Sequence, residues 1–228
     1  MASTATTTSS SATSNKSAAI ATGNALWGKV PKANSELFAL TYGALVTEVL
    51  RDYGEDVAQV NEQLDKMGYS MGVRCVDEYL AKLSTAAPPC STFLETAEVL
   101  AKSALKMFLG ITADVVVHEP QQQHATTMEG GDEKKSSGGQ AYSLILLDNP
   151  LTTFVELPDA FLDKENPKSK LEYNNLYCGL IRGALEMLNM RVECTFVKST
   201  LRGDDVNEIK VQLKEVIAEG AGAEYQEE

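Results

Sequence analysis

The sequence predicts an α+β protein with a single domain, in which helices pack on an antiparallel sheet of about four strands. The first observation is the order of the periodic segments, which is three helices, two or three strands, one helix and two final strands; this order is typical of α+β folds. The second is that 43% of the 228 residues are apolar, enough for one hydrophobic core. We place the folded domain at residues 35–220, before an acidic C-terminal tail at residues 221–228.

Charge and cysteine content limit the classes of function. The formal net charge of −12, from 20 basic and 32 acidic residues, argues against nucleic acid as a partner and against attachment to anionic lipid by bulk charge. The four cysteines form no CxxC or Cys/His pattern, and the N-terminus lacks the apolar segment of a signal peptide. No apolar run approaches the roughly 18 residues that span a bilayer. We expect a cytosolic protein with reduced thiols.

Residues 1–34 consist mainly of Ala, Ser and Thr, with three lysines and no acidic residue. This composition predicts a disordered basic tail. Trp27 within it is either an anchor on a partner or a loosely packed aromatic side chain in a linker, and we favour the second interpretation.

Two helices follow the tail. Asn34 or Ser35 can cap a helix from Glu36 to about Tyr53, whose apolar residues cover most of its circumference and predict that it is largely buried. Gly54 ends this helix, and Asp56 opens a second one that continues to Leu83. The second helix carries a pair of glycines on one face, which predicts close approach by another group. These are Gly68 and Gly72.

The third helix begins after two prolines and is the most informative stretch. Thr92 and Glu95 form a capping box, so that Cys90 lies just outside the helix start, where unpaired N–H groups and the helix dipole favour a thiolate. A strip of small side chains runs along this helix and predicts a groove, filled either by another helix or by a long, thin apolar ligand. The strip is Ala97, Ala101 and Ala104. Gly68 and Gly72 are then either a tight helix crossing or the opposite wall of the groove.

The remaining elements are mostly strands. Ile111–Val117 and Tyr142–Leu147 are predicted strands joined by a disordered insertion at residues 118–140, which contains both histidines. Residues 154–158 form a further extended piece. A fourth helix is expected over Leu171–Met190, and alternating apolar residues predict a hairpin of residues 191–198 and 209–213.

Several segments together resemble a known family. They are SELFALTYGALV (35–46), QLDKMG (63–68), ETA (95–97), FLGIT (108–112) and CGLIRGALEM (178–187). In this order, across about residues 35–217, they resemble the acylated Bet-type core subunits of the TRAPP vesicle-tethering complex, the TRAPP small-subunit family. Matches of this length are far more specific than a short motif.

The resemblance implies a palmitate or similar acyl chain on Cys90, lying in an internal apolar tunnel. Gly68, Gly72, Ala97, Ala101 and Ala104 are the candidate tunnel lining. It also implies a dimerising scaffold subunit that works with other TRAPP small subunits in an exchange assembly for a Rab-type GTPase. ER-to-Golgi transport and peripheral association with Golgi and endoplasmic reticulum membranes follow from the same resemblance.

The first two helices are apolar around more than one face. Burial of this apolar surface in an interface would favour a homodimer. The candidate anchors are Leu37, Leu45, Val60 and Leu64.

Two other classes of function remain as alternatives. In an enzyme, Cys90 would be a nucleophile with His118 or His124 as base, but a base in a disordered loop could not be held within hydrogen-bond reach. In a lipid-binding module, the groove would exchange a free ligand, and hydroxylamine release of the lipid would distinguish a thioester from it. The sequence shows no phosphate-binding glycine loop and no paired carboxylates for metal. We assign packing roles to Cys75, Cys178 and Cys194.

Overall fold

The protein is an α+β domain with a four-stranded antiparallel sheet, as predicted. A computed structural model describes residues 7–83, 92–118, 139–162 and 170–217, with side chains described from residue 15 onward. The helices are α1 (Thr7–Lys29), α2 (Ser35–Asp52), α3 (Val57–Lys82), α4 (Phe93–Val99), α5 (Leu105–Leu109) and α6 (Asn175–Glu186). The strands are β1 (Asp114–His118), β2 (Ala141–Leu146), β3 (Met190–Lys198) and β4 (Asn207–Val216).

The sheet has the strand order β1-β2-β4-β3, and every neighbouring pair is antiparallel. β3 and β4 form the predicted C-terminal hairpin. Core side chains from the central strands β2 and β4 pack with side chains of α3, α4 and α6. The core side chains that β2 and β4 contribute include Tyr142, Leu144, Ile209 and Val211, which are all 2% exposed or less. The hydrophobic core therefore lies between the sheet and the helical layer.

The predicted helix boundaries are largely confirmed because local side chains cap the helices. The Asn34 side chain accepts a hydrogen bond from the Leu37 amide, and the Asp56 side chain accepts bonds from the amides of Ala58 and Gln59. Gly110 ends α5 in the left-handed region with φ 74°, a conformation that favours glycine. α6 is shorter than the predicted Leu171–Met190 helix.

Helices α3 and α6 cross at very short range through four glycines. A Cβ atom on Gly68 would overlap the Leu176 carbonyl oxygen, and one on Gly72 would overlap that of Leu180. In return, Gly179 and Gly183 face the backbone of α3 at Asp65 and Tyr69. Both glycine pairs therefore serve a helix crossing in which backbone meets backbone.

The expected disordered tail is wrong for most of its length, because residues 7–29 form helix α1. Ala19 and Leu26 are buried, and α1 lies against α4 and α5. The composition argument failed because alanine favours helix and because neighbouring helices supply the apolar contact that the tail lacks alone. Trp27, assigned to a loose linker, packs on Gly110.

The structure differs from the sequence predictions in three further places. Residues 154–158 form no strand and lie between two 3₁₀ turns. His118 belongs to β1 rather than to the insertion, whose residues 119–138 lie outside the described part of the chain. Helix α2 is less buried than its apolar circumference predicts, since Leu37 is 66% and Leu40 is 60% exposed. The tail at residues 221–228 also lies outside the described residues.

Candidate functional site

The helix that follows Cys90 begins as the sequence predicts, with a complete capping box. The Glu95 amide donates to the Thr92 hydroxyl at 3.2 Å, and the Thr92 amide donates to the Glu95 carboxylate at 3.2 Å. Cys90 itself, in the segment 84–91, lies outside the described residues. The described part of the candidate site is therefore the helix that follows Cys90 in the sequence.

This helix contains a π-helical segment at Leu100–Ala104, between α4 and α5. The Leu105 amide donates to the Leu100 carbonyl, which adds one residue to the turn. The extra residue leaves the Ala101 carbonyl free to accept a hydrogen bond from the Ala113 amide at 3.0 Å. Segments of this kind occur frequently at functional sites. The sequence carries no propensity signal that would have predicted it.

Two side chains next to Ala101 tie the π-helical segment to other elements. The Lys102 ammonium pairs with the Asp114 carboxylate at 2.7 Å, and the lysine side chain is only 8% exposed. The Tyr79 hydroxyl of α3 donates to the Ser103 hydroxyl at 2.7 Å. These residues were not among the predicted site residues; a lysine and a serine beside Ala101 were the available signal in the sequence.

The predicted tunnel residues divide into two groups. Ala97 and Ala101 are fully buried in the main core with Phe93, Leu100 and Leu105, and Ala104 packs against it. Gly68 and Gly72 do not form an opposite wall, because α6 occupies the space in front of them. The tunnel-wall assignment of these two glycines is therefore wrong, and the helix-crossing alternative is correct.

The described cysteines lack an activating environment. Burial raises the pKa of Cys178 and of Cys194 well above the ordinary value, and it also raises the pKa of Cys75. Each thiol therefore stays protonated at neutral pH and is a poor nucleophile. This supports the packing roles assigned to them.

Histidine, serine and carboxylate side chains meet across the sheet, but not in the order that nucleophilic catalysis needs. The Ser143 hydroxyl donates to the Glu208 carboxylate at 2.7 Å and lies 2.8 Å from Nε2 of His118. The serine proton is engaged by the carboxylate, so His118 is the donor to Ser143 rather than its base. This hydrogen bond lowers the pKa of Glu208, with Lys198 as a further cause.

The candidate dimer anchors also divide. Leu37 and Leu45 are exposed on α2, together with Leu40. Val60 and Leu64 are 0% exposed within the chain, as parts of the main core. They present no surface to a partner, so their assignment as anchors is wrong. They were misassigned because an apolar stripe alone does not distinguish a core face from an interface face.

None of the helices in the described part of the chain has the length and continuous apolar character that a bilayer-spanning helix requires. The same ranges contain no group of three or more His, Cys, Asp or Glu side chains suited to a metal ion.

The order of these elements can be compared with known proteins. The family model of the transport protein particle (TRAPP) component matches residues 38–212. This chain belongs to the TRAPP component family. The match covers α2 through most of β4 and begins after α1, in agreement with the resemblance identified over residues 35–217.

Individual TRAPP proteins match over nearly their whole length. Trafficking protein particle complex subunit 3 of Dictyostelium discoideum is 48% identical over 197 residues, 86% of this chain and 92% of that protein. Trafficking protein particle complex subunit BET3 of Saccharomyces cerevisiae is 39% identical over 199 residues, 86% and 90% of the two chains. A crystal structure of subunit 3 from Naegleria fowleri, covalently bound to palmitic acid, superposes with a TM-score of 0.63 and 47% identity, covering 82% of this chain and 98% of that one.

Proposed function

We propose that this chain is a non-enzymatic core scaffold subunit of a TRAPP-like tethering complex. In this role it helps to assemble an exchange factor for a Rab-type GTPase in ER-to-Golgi transport, at the cytoplasmic face of those membranes. The observation that carries the proposal is the match to TRAPP subunit 3 proteins over about nine-tenths of their length. The arrangement of Ser143 between His118 and Glu208 gives no support to an enzyme.

We further propose that Cys90 carries a thioester-linked acyl chain. The Naegleria relative is covalently bound to palmitic acid, and burial keeps Cys75, Cys178 and Cys194 protonated. Cys90 precedes the cap residue Thr92 by two positions in the sequence, and the helix that Thr92 caps carries the small side chains of α4 and the π-helical segment. Ala97, Ala101 and Ala104 are the side chains that would border the chain, because small residues leave room for methylene groups.

Assembly is proposed to use the exposed apolar face of α2. Leu40 follows Leu37 by three residues on this helix and Leu45 follows Leu40 by five, and the three side chains are between 39% and 66% exposed. Exposed apolar patches mark interaction surfaces, and Leu37 and Leu40, three residues apart, are neighbours on the helix surface. The face fits a homodimer of the isolated chain and a heterotypic contact with other small subunits inside the complex.

Two arms of one experiment test the assembly. Leu37→Glu with Leu40→Glu should convert the isolated chain from dimer to folded monomer in sedimentation at micromolar concentration, and should abolish co-purification of other family subunits from cells. Leu147→Glu is the matched control, because Leu147 is 72% exposed outside α2. Wild-type protein that sediments at 24.6 kDa at every concentration, and brings down no family subunit, would exclude the scaffold role.

A further inference from the structure

Helix α1 runs parallel to the helix formed by α4, the π-helical segment and α5. The Asn15 side chain donates to Glu95 at 3.3 Å near the start of α4. Gly23 faces Lys102 and Ser103, and the Trp27 ring lies against Gly110 at the end of α5. A helix of 23 residues is long enough to follow this path without a break.

The contact depends on a glycine at its centre. A Cβ atom on Gly23 would overlap the Lys102 carbonyl oxygen and lie 2.9 Å from the Ser103 Cα atom. Both atoms are backbone and cannot move aside as a flexible side chain does. By contrast, a Cβ on Gly28 in the same helix would meet nothing within 4 Å.

The α1 contact is separate from the main core. Ala19, Leu26 and Met107 are all buried, yet none of them belongs to the main core cluster. Met107 lies four residues after Ser103, so the two side chains share a face of the helix. The TRAPP family match begins at residue 38, so the matched fold does not include α1.

The contact between α1 and this helix also buries few apolar side chains. Leu26 is the one long aliphatic side chain that α1 buries within its described residues, and the other central positions are Ala19 and Gly23. Trp27 adds its ring, with the Lys32 ammonium 3.9 Å and the Lys106 ammonium 5.6 Å from the ring centroid. A helix rich in Ala, Ser and Thr has little stability of its own in water. Units with few buried contacts open at lower free energy than the core.

We propose that the surface formed by Lys102, Ser103, Met107 and Gly110 is a helix-binding surface, and that α1 is its detachable occupant within the same chain. The surface fits a helix with a glycine at the crossing point and small or single aliphatic neighbours on either side of it. α1 meets this description, because Gly23 lies at the crossing point between the buried residues Ala19 and Leu26. The proposal does not rest on the acyl chain or on the dimer.

Trp27 makes the proposal testable in the full-length chain, because it is the only tryptophan in the sequence. Gly23→Leu should release α1, so that Trp27 emission shifts to the value of an exposed indole, while the near-UV circular dichroism of the tyrosines and the cooperative core transition persist. Gly28→Ala is the matched control and should leave Trp27 emission unchanged. Collapse of the core in Gly23→Leu, or an unchanged Trp27 signal, would contradict a detachable helix.

A labelled peptide of residues 15–30 tests the vacated surface. It should bind full-length Gly23→Leu protein saturably and with an affinity about tenfold or more above that for wild type, whose own α1 competes. The same peptide carrying Gly23→Leu should not bind. Equal binding of the peptide to both proteins, or binding to neither, would overturn the assignment of this surface.

Discussion

At the scale of single residues, the candidate site depends on three consecutive positions with different partners. Ala101 accepts the Ala113 amide through its carbonyl, Lys102 pairs with Asp114, and Ser103 meets Tyr79. Each of these interactions holds one residue of the π-helical segment in place. Because Ala101 and Ala104 of the alanine strip lie on this segment, the same interactions fix the space next to these two residues.

The ion pair predicts a specific pH dependence. The hydrogen bond and charge of Lys102 lower the pKa of Asp114, so the folded protein binds a proton there less readily than the unfolded chain. The stabilisation is complete above about pH 4, which is the ordinary pKa of an aspartate side chain. It is lost as the pH falls through the lowered pKa of Asp114. Asp114→Asn should lower the free energy of unfolding at pH 7, with a smaller difference from wild type at pH 3.

Urea unfolding at both pH values measures this difference, and Asp148→Asn, at an exposed site in the loop after β2, is the control. A difference between Asp114→Asn and wild type that is the same at pH 3 and pH 7 would show that the pair does not stabilise the fold.

Ala104→Leu tests the proposed path of the acyl chain. The three added carbon atoms should block acylation, at a cost of about 1–3 kcal/mol in the free energy of unfolding because the position is only partly buried. Ala58→Leu, on the exposed face of α3, is the control. Acylation of Ala104→Leu to the wild-type level, measured by intact mass, would place the chain elsewhere.

At the scale of elements, the sequence predicted those whose signals are local. The Asn34 and Asp56 caps, the Thr92 capping box and the Gly110 terminus mark helix ends through neighbouring residues, and the hairpin follows from alternation. α1 was missed because its burial depends on residues about 80 positions away. The exposure of α2 was missed because periodicity counts apolar residues and does not say which face is covered.

The candidate site was also predictable only in its local features. The alanine strip and the helix start could be inferred from spacing, whereas Gly68 and Gly72 were assigned to the wrong neighbour. Close approach was correctly predicted for both glycines, but the approaching group is the backbone of α6. Spacing within one segment cannot identify the segment opposite it. The π-helical segment has no sequence signature at all.

The glycine crossing of α3 and α6 supplies the prediction at this scale. Gly179→Ala should lower the free energy of unfolding by about 1–3 kcal/mol, because its Cβ would overlap the Asp65 carbonyl oxygen and lie 2.8 Å from the Tyr69 nitrogen. Gly43→Ala in α2 is the control, since its Cβ would lie 3.5 Å from the Tyr173 hydroxyl. That change should be neutral or stabilise by about 0.5–1 kcal/mol. Equal urea midpoints for the two variants would contradict the crossing.

At the scale of the whole molecule, the chain combines a TRAPP family fold with an N-terminal helix that precedes the family match. The fold buries its own core and leaves Leu37, Leu40 and Leu45 of α2 exposed, where we propose that assembly occurs. α1 covers a different surface, at the π-helical segment and α5. Assembly through α2 and occupancy of the α1 surface can therefore be altered by separate substitutions.

The most direct test is the intact mass of the protein purified from its own cells, before and after hydroxylamine. We predict an increment of one acyl chain that hydroxylamine removes, that Cys90→Ser abolishes and that Cys75→Ser leaves in place. Each result follows from a thioester on Cys90, which precedes the capping residue Thr92 by two positions in the sequence. A mass equal to that of the bare chain, or an increment that survives hydroxylamine or Cys90→Ser, would contradict an acylated scaffold subunit.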